Sequence, residues 1–152
     1  MITIHIGADH GGFNLKEKIK AQLTSEGYTV TDQGAAALTP DDDYPDFGAN
    51  VAKAVALDPE NTRGILICRS GFGMDIVANK FPGIRAGLPM SPDHLFQGRH
   101  DDDLNVLVLA ADYTDEEKAL QLVKTFLATP YANEEERRQR RLNKIKAIEE
   151  GK

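Results

Sequence analysis

One segment of this 152-residue sequence gathers residue types that can do chemistry: Cys68-Arg69-Ser70-Gly71-Phe72-Gly73-Met74. A thiol is the most readily ionised nucleophile at neutral pH, and more so beside the start of a helix. Ser70 offers a hydroxyl that can donate to developing negative charge. Gly71 and Gly73 permit a tight turn and close approach of a ligand. The N–H groups of such a turn can hold an anion or an oxyanion. From spacing alone a second reading stands beside this one: Cys68 as a small apolar core residue, followed by an ordinary turn.

Two further segments carry candidate groups. Gly7-Ala8-Asp9-His10-Gly11-Gly12 places Asp9 and His10 in a glycine-rich turn whose spacing is not the dinucleotide-binding fingerprint. It suits phosphate binding, or plain turn chemistry. Arg137-Arg138-Gln139-Arg140-Arg141 places Arg137 and Arg141 four residues apart, on one helix face. Two guanidinium groups so placed can clamp a phosphate; the same run also reads as a solvated face with Glu134–Arg138 and Glu136–Arg140 pairs. The acidic runs Asp41–Asp43 and Asp101–Asp103 have no His or Glu at ligand spacing beside them, so no metal is expected. His5 and His94 read as structural.

The elements that must position these groups alternate between β-rich and helical patterns. Ile2–Ile6, Tyr28–Thr31, Gly64–Cys68, Ile84–Leu88 and Val106–Ala111 are expected strands. Leu15, Ile19 and Leu23 mark a helix that stops near Gly27, and further helices are expected over Phe47–Leu57, Met74–Lys80, Pro92–Gly98, Asp115–Ala128 and Glu134–Glu150. The alternation predicts a single α/β domain over 1–152, a Rossmann-like three-layer sandwich with a five-stranded parallel sheet and a long C-terminal helix. In such sheets ligands sit at the carboxyl ends of the strands, near a switch in strand order. That directs attention to Gly7–Gly12, to Cys68–Gly73 and to the stretch around Arg99–Asp103, read here as a loop.

Composition narrows the class of partner. A formal charge of −6 argues against general binding to nucleic acid or to anionic membranes. No apolar run reaches the length of a membrane span, and Met1–Gly12 lacks the pattern of a signal peptide. One cysteine allows no internal disulfide and suits a reducing, cytoplasmic setting.

Taken in order, the motifs resemble one family. Gly7-Ala8-Asp9-His10-Gly11-Gly12-Phe13 with Leu15-Lys16, then Asp43-Tyr44-Pro45-Asp46, resembles its N-terminal signature. Gly64-Ile65-Leu66-Ile67-Cys68, Ser70-Gly71, Gly73-Met74, Ala78-Asn79-Lys80 and Gly83-Ile84-Arg85-Ala86 resemble its central one, and Asn105-Val106-Leu107 with Arg137 and Arg141 follow. This is the pattern of ribose-5-phosphate isomerase type B and the galactose-6-phosphate isomerase subunits, and it runs nearly end to end. The resemblance implies an aldose–ketose isomerase of a phosphorylated sugar, without cofactor, working as a homodimer or dimer of dimers with active sites at the interface. It implies Cys68 as the base and Ser70, usually threonine in the family, with the amides of Gly71, Phe72 and Gly73 as stabilisers of an enediolate. It implies Asp9, His10 and Tyr44 as sugar-site residues and Arg137 and Arg141 as phosphate ligands.

Four positions depart from that pattern. Arg69 stands where glycine is usual, which narrows the pocket or adds an anion contact. Asp101 and Asp102 stand at the positions of a His-Asn pair whose histidine is thought to open the sugar ring, with His100 one residue earlier. Asp112 stands where many members have an arginine that reaches phosphate. Asp101 is then the candidate acid/base for ring opening, with His100 and Asp102 beside it in the substrate site, although a carboxyl of pKa about 3.9 suits neutral pH poorly. Alternatively the substrate stays linear and needs no ring opening. Acids beside a phosphate need an offset, which Arg69 or Arg138 can supply. Ribose 5-phosphate is therefore not assumed to be the best substrate. Two rival readings remain: an altered sugar-phosphate-binding homologue or subunit that needs a different partner chain, and, on fold class alone, a flavodoxin-like nucleotide or flavin module.

Overall fold

The computed structural model describes residues 2–151. The chain alternates regularly: β1 (Thr3–Ala8), α1 (Phe13–Ser25), β2 (Thr29–Asp32), α2 (Tyr44–Leu57), β3 (Thr62–Cys68), α3 (Phe72–Ala78), β4 (Ala86–Gly87), α4 (Pro92–Asp102), β5 (Val106–Ala110), α5 (Glu116–Ala128) and α6 (Glu136–Glu149). The five strands form one sheet in the order β2-β1-β3-β5-β4, and every pairing is parallel. The three-layer α/β architecture expected from the alternation is the observed one.

The two faces of the sheet follow from the two-residue period of a strand. Along β3, Ile65 and Ile67 point into one cluster, with Ile19, Leu23, Leu122 and Phe126 from α1 and α5. Leu66 and Cys68 point into the other, with Val51, Val55 and Met74 from α2 and α3. β5 divides likewise, Leu107 and Leu109 to the first and Val106 and Val108 to the second. A strand buried on both faces reads as an unbroken apolar run, which is what β3 and β5 show.

The chain leaves β1 for β2 on one side and returns to β3 on the other. The strand order therefore reverses between β1 and β3. The loops that follow these two strands, Asp9–Gly12 and Arg69–Gly71, flank that reversal, the usual place for a ligand in an open α/β sheet.

Several element boundaries shift by two or more residues from expectation, and three of the shifts have a clear local reason. α2 begins at Tyr44 rather than Phe47, because Pro45 is tolerated in a first turn that does not use its missing N–H. The expected strand Ile84–Leu88 shrinks to Ala86–Gly87: the Arg85 N–H goes to the Asn105 side chain at 2.8 Å, the Ile84 N–H turns back to Phe81, and Pro89 has none to offer. α4 does not stop at Gly98 but runs on to Asp102 and ends where Asp103 takes a left-handed conformation, φ 50°. The stretch read as a loop around Arg99–Asp103 is therefore the last helical turn and its cap.

Candidate active site

The carboxyl end of the sheet holds the thiol. Cys68 is the last residue of β3, and its side chain is buried in the apolar cluster with 4% of its surface exposed. Gly71 follows with φ 80°, a conformation that disfavours any side chain, and starts α3. α3 is seven residues long. The N–H groups of its first turn, not a long helix behind them, must therefore carry any anion. Ser70 is exposed beside them.

Three other expected residues meet this loop. The Asp9 carboxylate accepts from the Gly12 N–H at 3.1 Å and so pins the β1 loop. The Tyr44 ring lies against Gly73, where a Cβ would stand 2.7 Å from it. Arg69 lies over Gly11, its Cγ 2.1 Å from where a Cβ would sit, and its Nε donates to Asp112 Oδ2 at 3.0 Å. A cleft of about 250 Å³ opens alongside, between Gly11 and Asp112.

His10 has a partner that sequence spacing hid. Asp42 Oδ1 accepts from the His10 backbone N–H and stands 2.8 Å from Nδ1 as well. The bond to Asp42, helped by the charge of Asp9, raises the His10 pKa above its ordinary 6.5. With Nδ1 committed to Asp42, Nε2 is the ring nitrogen left to face a ligand. The acidic run Asp41–Asp43, read as lacking a histidine nearby, thus reaches one 32 residues away. Asp75, in the first turn of α3, carries no signal in the sequence spacing; burial pushes its carboxyl pKa up.

The second group of expected residues lies elsewhere. β4 and β5 are parallel, so α4 must run back from the carboxyl end of β4 to the amino end of β5. His100, Asp101 and Asp102 close that helix at the amino end of the sheet, opposite Cys68. The expectation that the Arg99–Asp103 stretch shares the carboxyl end is corrected by this direction of travel. The Ala132 N–H bonds to the His100 carbonyl, which brings the start of α6 to the same end.

Within that group the charges are paired. Asp101 Oδ1 stands 2.8 Å from His100 Nδ1 and 2.7 Å from Arg138 Nη2. The His100 bond, followed by the Arg138 charge, holds the Asp101 carboxyl below its ordinary range. The His100 ring stacks on Phe96 with centroids 5.1 Å apart. Arg138 is the buried arginine of α6 and also pairs with Glu135. Arg137 is exposed and pairs with Glu135 at 2.7 Å, and Arg141 is exposed too. The expected Glu134–Arg138 and Glu136–Arg140 pairs are replaced by these. Two of the three departing acids thus have a guanidinium beside them, Arg69 for Asp112 and Arg138 for Asp101.

Among the described residues no three or more His, Cys, Asp or Glu side chains gather to hold a metal ion. No helix is long and apolar enough to cross a membrane.

Residues 4–145 match the model of the ribose/galactose isomerase family. The ribose-5-phosphate isomerase B of Escherichia coli strain K12 is 40% identical over 150 residues, 99% of this chain and 98% of its own. The 4-deoxy-4-sulfo-D-erythrose isomerase of Clostridium sp. strain MSTE9 is 39% identical over 155 residues, covering 98% of this chain and 96% of its own. The crystal structure of Mycoplasma genitalium ribose-5-phosphate isomerase B with bound ribulose-5-phosphate superposes with a TM-score of 0.93 at 34% identity, covering 99% of this chain and 98% of that one. With strand order, the glycine-containing loop after β3 and the sequence in agreement along the chain, it belongs to the ribose/galactose isomerase family.

Proposed function

We propose that the protein interconverts an aldose and a ketose that carry a terminal anionic group, a phosphorylated sugar first, through an enediolate. The observation that carries this reading is the thiol of Cys68 at the strand-order reversal, next to a turn whose N–H groups have no helical partner. Cys68 as thiolate takes the proton from the carbon beside the carbonyl and returns it to the neighbouring carbon. The hydroxyl proton passes between the two oxygens, so no electron leaves the substrate. Ser70 and the amides of Gly71, Phe72 and Gly73 hold the enediolate oxygen while it carries charge. Asp9, His10 and Tyr44 line the sugar, and the His10 imidazolium and Arg69 add positive charge for the anionic end.

Arg137 and Arg141 cannot join Cys68 within one chain, since they lie toward opposite ends of the sheet. We infer that a second copy presents its α4 end and α6, with His100, Asp102, Arg137 and Arg141, to the carboxyl end of the first. Phe72, Ile76, Met90 and Tyr113 are each more than half exposed on or just after the segments that follow β3, β4 and β5. Apolar side chains at that density mark a surface meant to be covered.

A second reading concerns the substrate. Asp101 is spent as a counter-ion to Arg138 and a partner to His100, so it is a poor proton donor for opening a sugar ring. A four-carbon aldose substituted at C4 by phosphate or sulfonate has no free C4 hydroxyl to close a five-membered ring, and needs no such donor. That one relative is named a 4-deoxy-4-sulfo-D-erythrose isomerase supports this reading. A coupled assay of the purified protein with erythrose 4-phosphate, 4-deoxy-4-sulfoerythrose, ribose 5-phosphate and a hexose 6-phosphate separates the readings. Clear preference for ribose 5-phosphate would overturn the open-chain reading. No turnover of any of them by the homo-oligomer would overturn the isomerase proposal in favour of a chain that needs a different partner.

A further inference from the structure

We propose that the amino end of the sheet carries a second oxyanion site, one that takes a phosphate group borne on a small organic body and is separate from the chemistry at Cys68. A cavity of about 760 Å³ opens there between the start of β3, the end of α5 and the face of α6. Its volume falls within the range of small-molecule sites. Three guanidinium groups line it: Arg63, Arg85 and Arg99.

One carboxylate serves two of the three. Asp103 takes Arg85 Nη2 on one oxygen at 2.7 Å and Arg99 Nη1 on the other at 2.9 Å. Among the described residues Arg63 has no carboxylate partner: its Nη1 bonds to the carbonyls of Pro59 and Thr62, at 2.9 and 2.6 Å. Glu60 stands on the rim and forms no ion pair with another described residue. Arg63 Nε and Nη2 and Arg99 Nη2 donate to no group among the described residues. Burial, then the neighbouring charges of Arg99 and Arg85, pull the Arg63 pKa down, and the opposing charges of Asp103 and Glu60 do not reverse the shift.

A separate observation points the same way. The Tyr131 hydroxyl, on the same cavity, is buried and has no hydrogen-bond partner among the described residues. Such a group costs stability unless something pairs with it. A bound oxyanion would accept from Tyr131, from the unspent nitrogens of Arg63 and from Arg99 at once, a guanidinium-rich setting that favours phosphate. Phe126 and Leu142 supply an apolar wall beside these donors, so the rest of the ligand need not be charged.

The test is calorimetric titration of the intact protein with inorganic phosphate and, separately, with glycerol 2-phosphate. The wild-type protein should show a binding event that Arg63→Ala weakens at least tenfold and Tyr131→Phe about fivefold, the size of a lost hydrogen bond. In both variants KM for the isomerised sugar should stay within twofold of wild type. Tyr131→Phe removes only an unpaired hydroxyl, so the unliganded variant should melt no lower than wild type, and it carries the test if Arg63→Ala folds poorly. Tighter binding of glycerol 2-phosphate supports the proposal as stated. Equal binding of both ligands restricts the site to phosphate itself and overturns the organic body. Titrations identical in wild type, Arg63→Ala and Tyr131→Phe would overturn the site altogether.

Discussion

Arg69 and Asp112 face each other across the ends of β3 and β5, Nε to Oδ2 at 3.0 Å, and together exchange the positions of a charge. Where the family pattern that the sequence resembles usually has glycine and in many members arginine, this chain has arginine and aspartate. The guanidinium still reaches the rim of the same strand ends, from β3 instead of β5. Both side chains are substantially exposed, so the pair contributes at most about 0.2–1 kcal/mol to stability. Its value lies in where the positive charge is held.

Arg69→Gly should therefore raise KM for the anionic substrate by about tenfold, the loss of one charge-assisted hydrogen bond, while the melting temperature shifts by only a few degrees. Adding Asp112→Arg to that variant should recover most of the affinity by returning a guanidinium from the other strand. Steady-state kinetics of the single and double variants check this. An unchanged KM in Arg69→Gly would remove Arg69 from substrate binding.

Cys68→Ala should lower turnover by roughly 10²–10⁴-fold, the range for loss of a positioned general base. The side chain is buried, but only one sulfur is removed, so the fold should persist with a loss of about 1 kcal/mol. The readout is kcat beside a circular-dichroism melt. Turnover near that of wild type in a folded variant would exclude Cys68 as the base.

Much of this was legible from residue types and spacing. Ile65, Ile67 and Leu66 announce a strand buried on both faces, and Gly71 and Gly73 after Cys68 announce the turn. What stayed hidden depends on direction and distance in space. Nothing in the string His100-Asp101-Asp102 says that α4 carries it away from Cys68; that follows only once β4 and β5 are known to be parallel. Asp42 and His10 are 32 residues apart, beyond any periodic pattern. Arg138 sits in a charge run that looks uniformly solvated, yet it is the one whose side chain turns inward to Asp101.

The Asp42–His10 bond predicts a pH dependence. Its sign follows from a raised pKa: the imidazolium is fully present below about 6.5 and is lost as pH rises through the higher value of the folded protein. Affinity for the phosphate end, and the small stability contributed by the pair, should thus persist to higher pH than an ordinary histidine allows and fall as pH rises through the raised value. Asp42→Asn removes the main cause of the shift, so the fall should move to lower pH. KM measured from roughly pH 6 to 9 in both proteins checks it. Superimposable profiles would mean that Asp42 does not set the state of His10.

The separation of Cys68 from Arg141 within a chain makes a stronger prediction when variants are mixed. Cys68→Ala lacks the base but retains Arg141; Arg141→Ala retains the base but should bind phosphate at least tenfold more weakly. In a symmetric dimer with shared sites, a mixed dimer has one site lacking both groups and one with both intact. Random reassortment of equal amounts makes half of the dimers mixed, each with one intact site of two. About a quarter of wild-type activity should then return at low substrate. Sites built from a single chain would give no recovery, because no chain in the mixture holds both residues. The experiment therefore reads directly whether α6 acts on its own β3 or on that of a second copy.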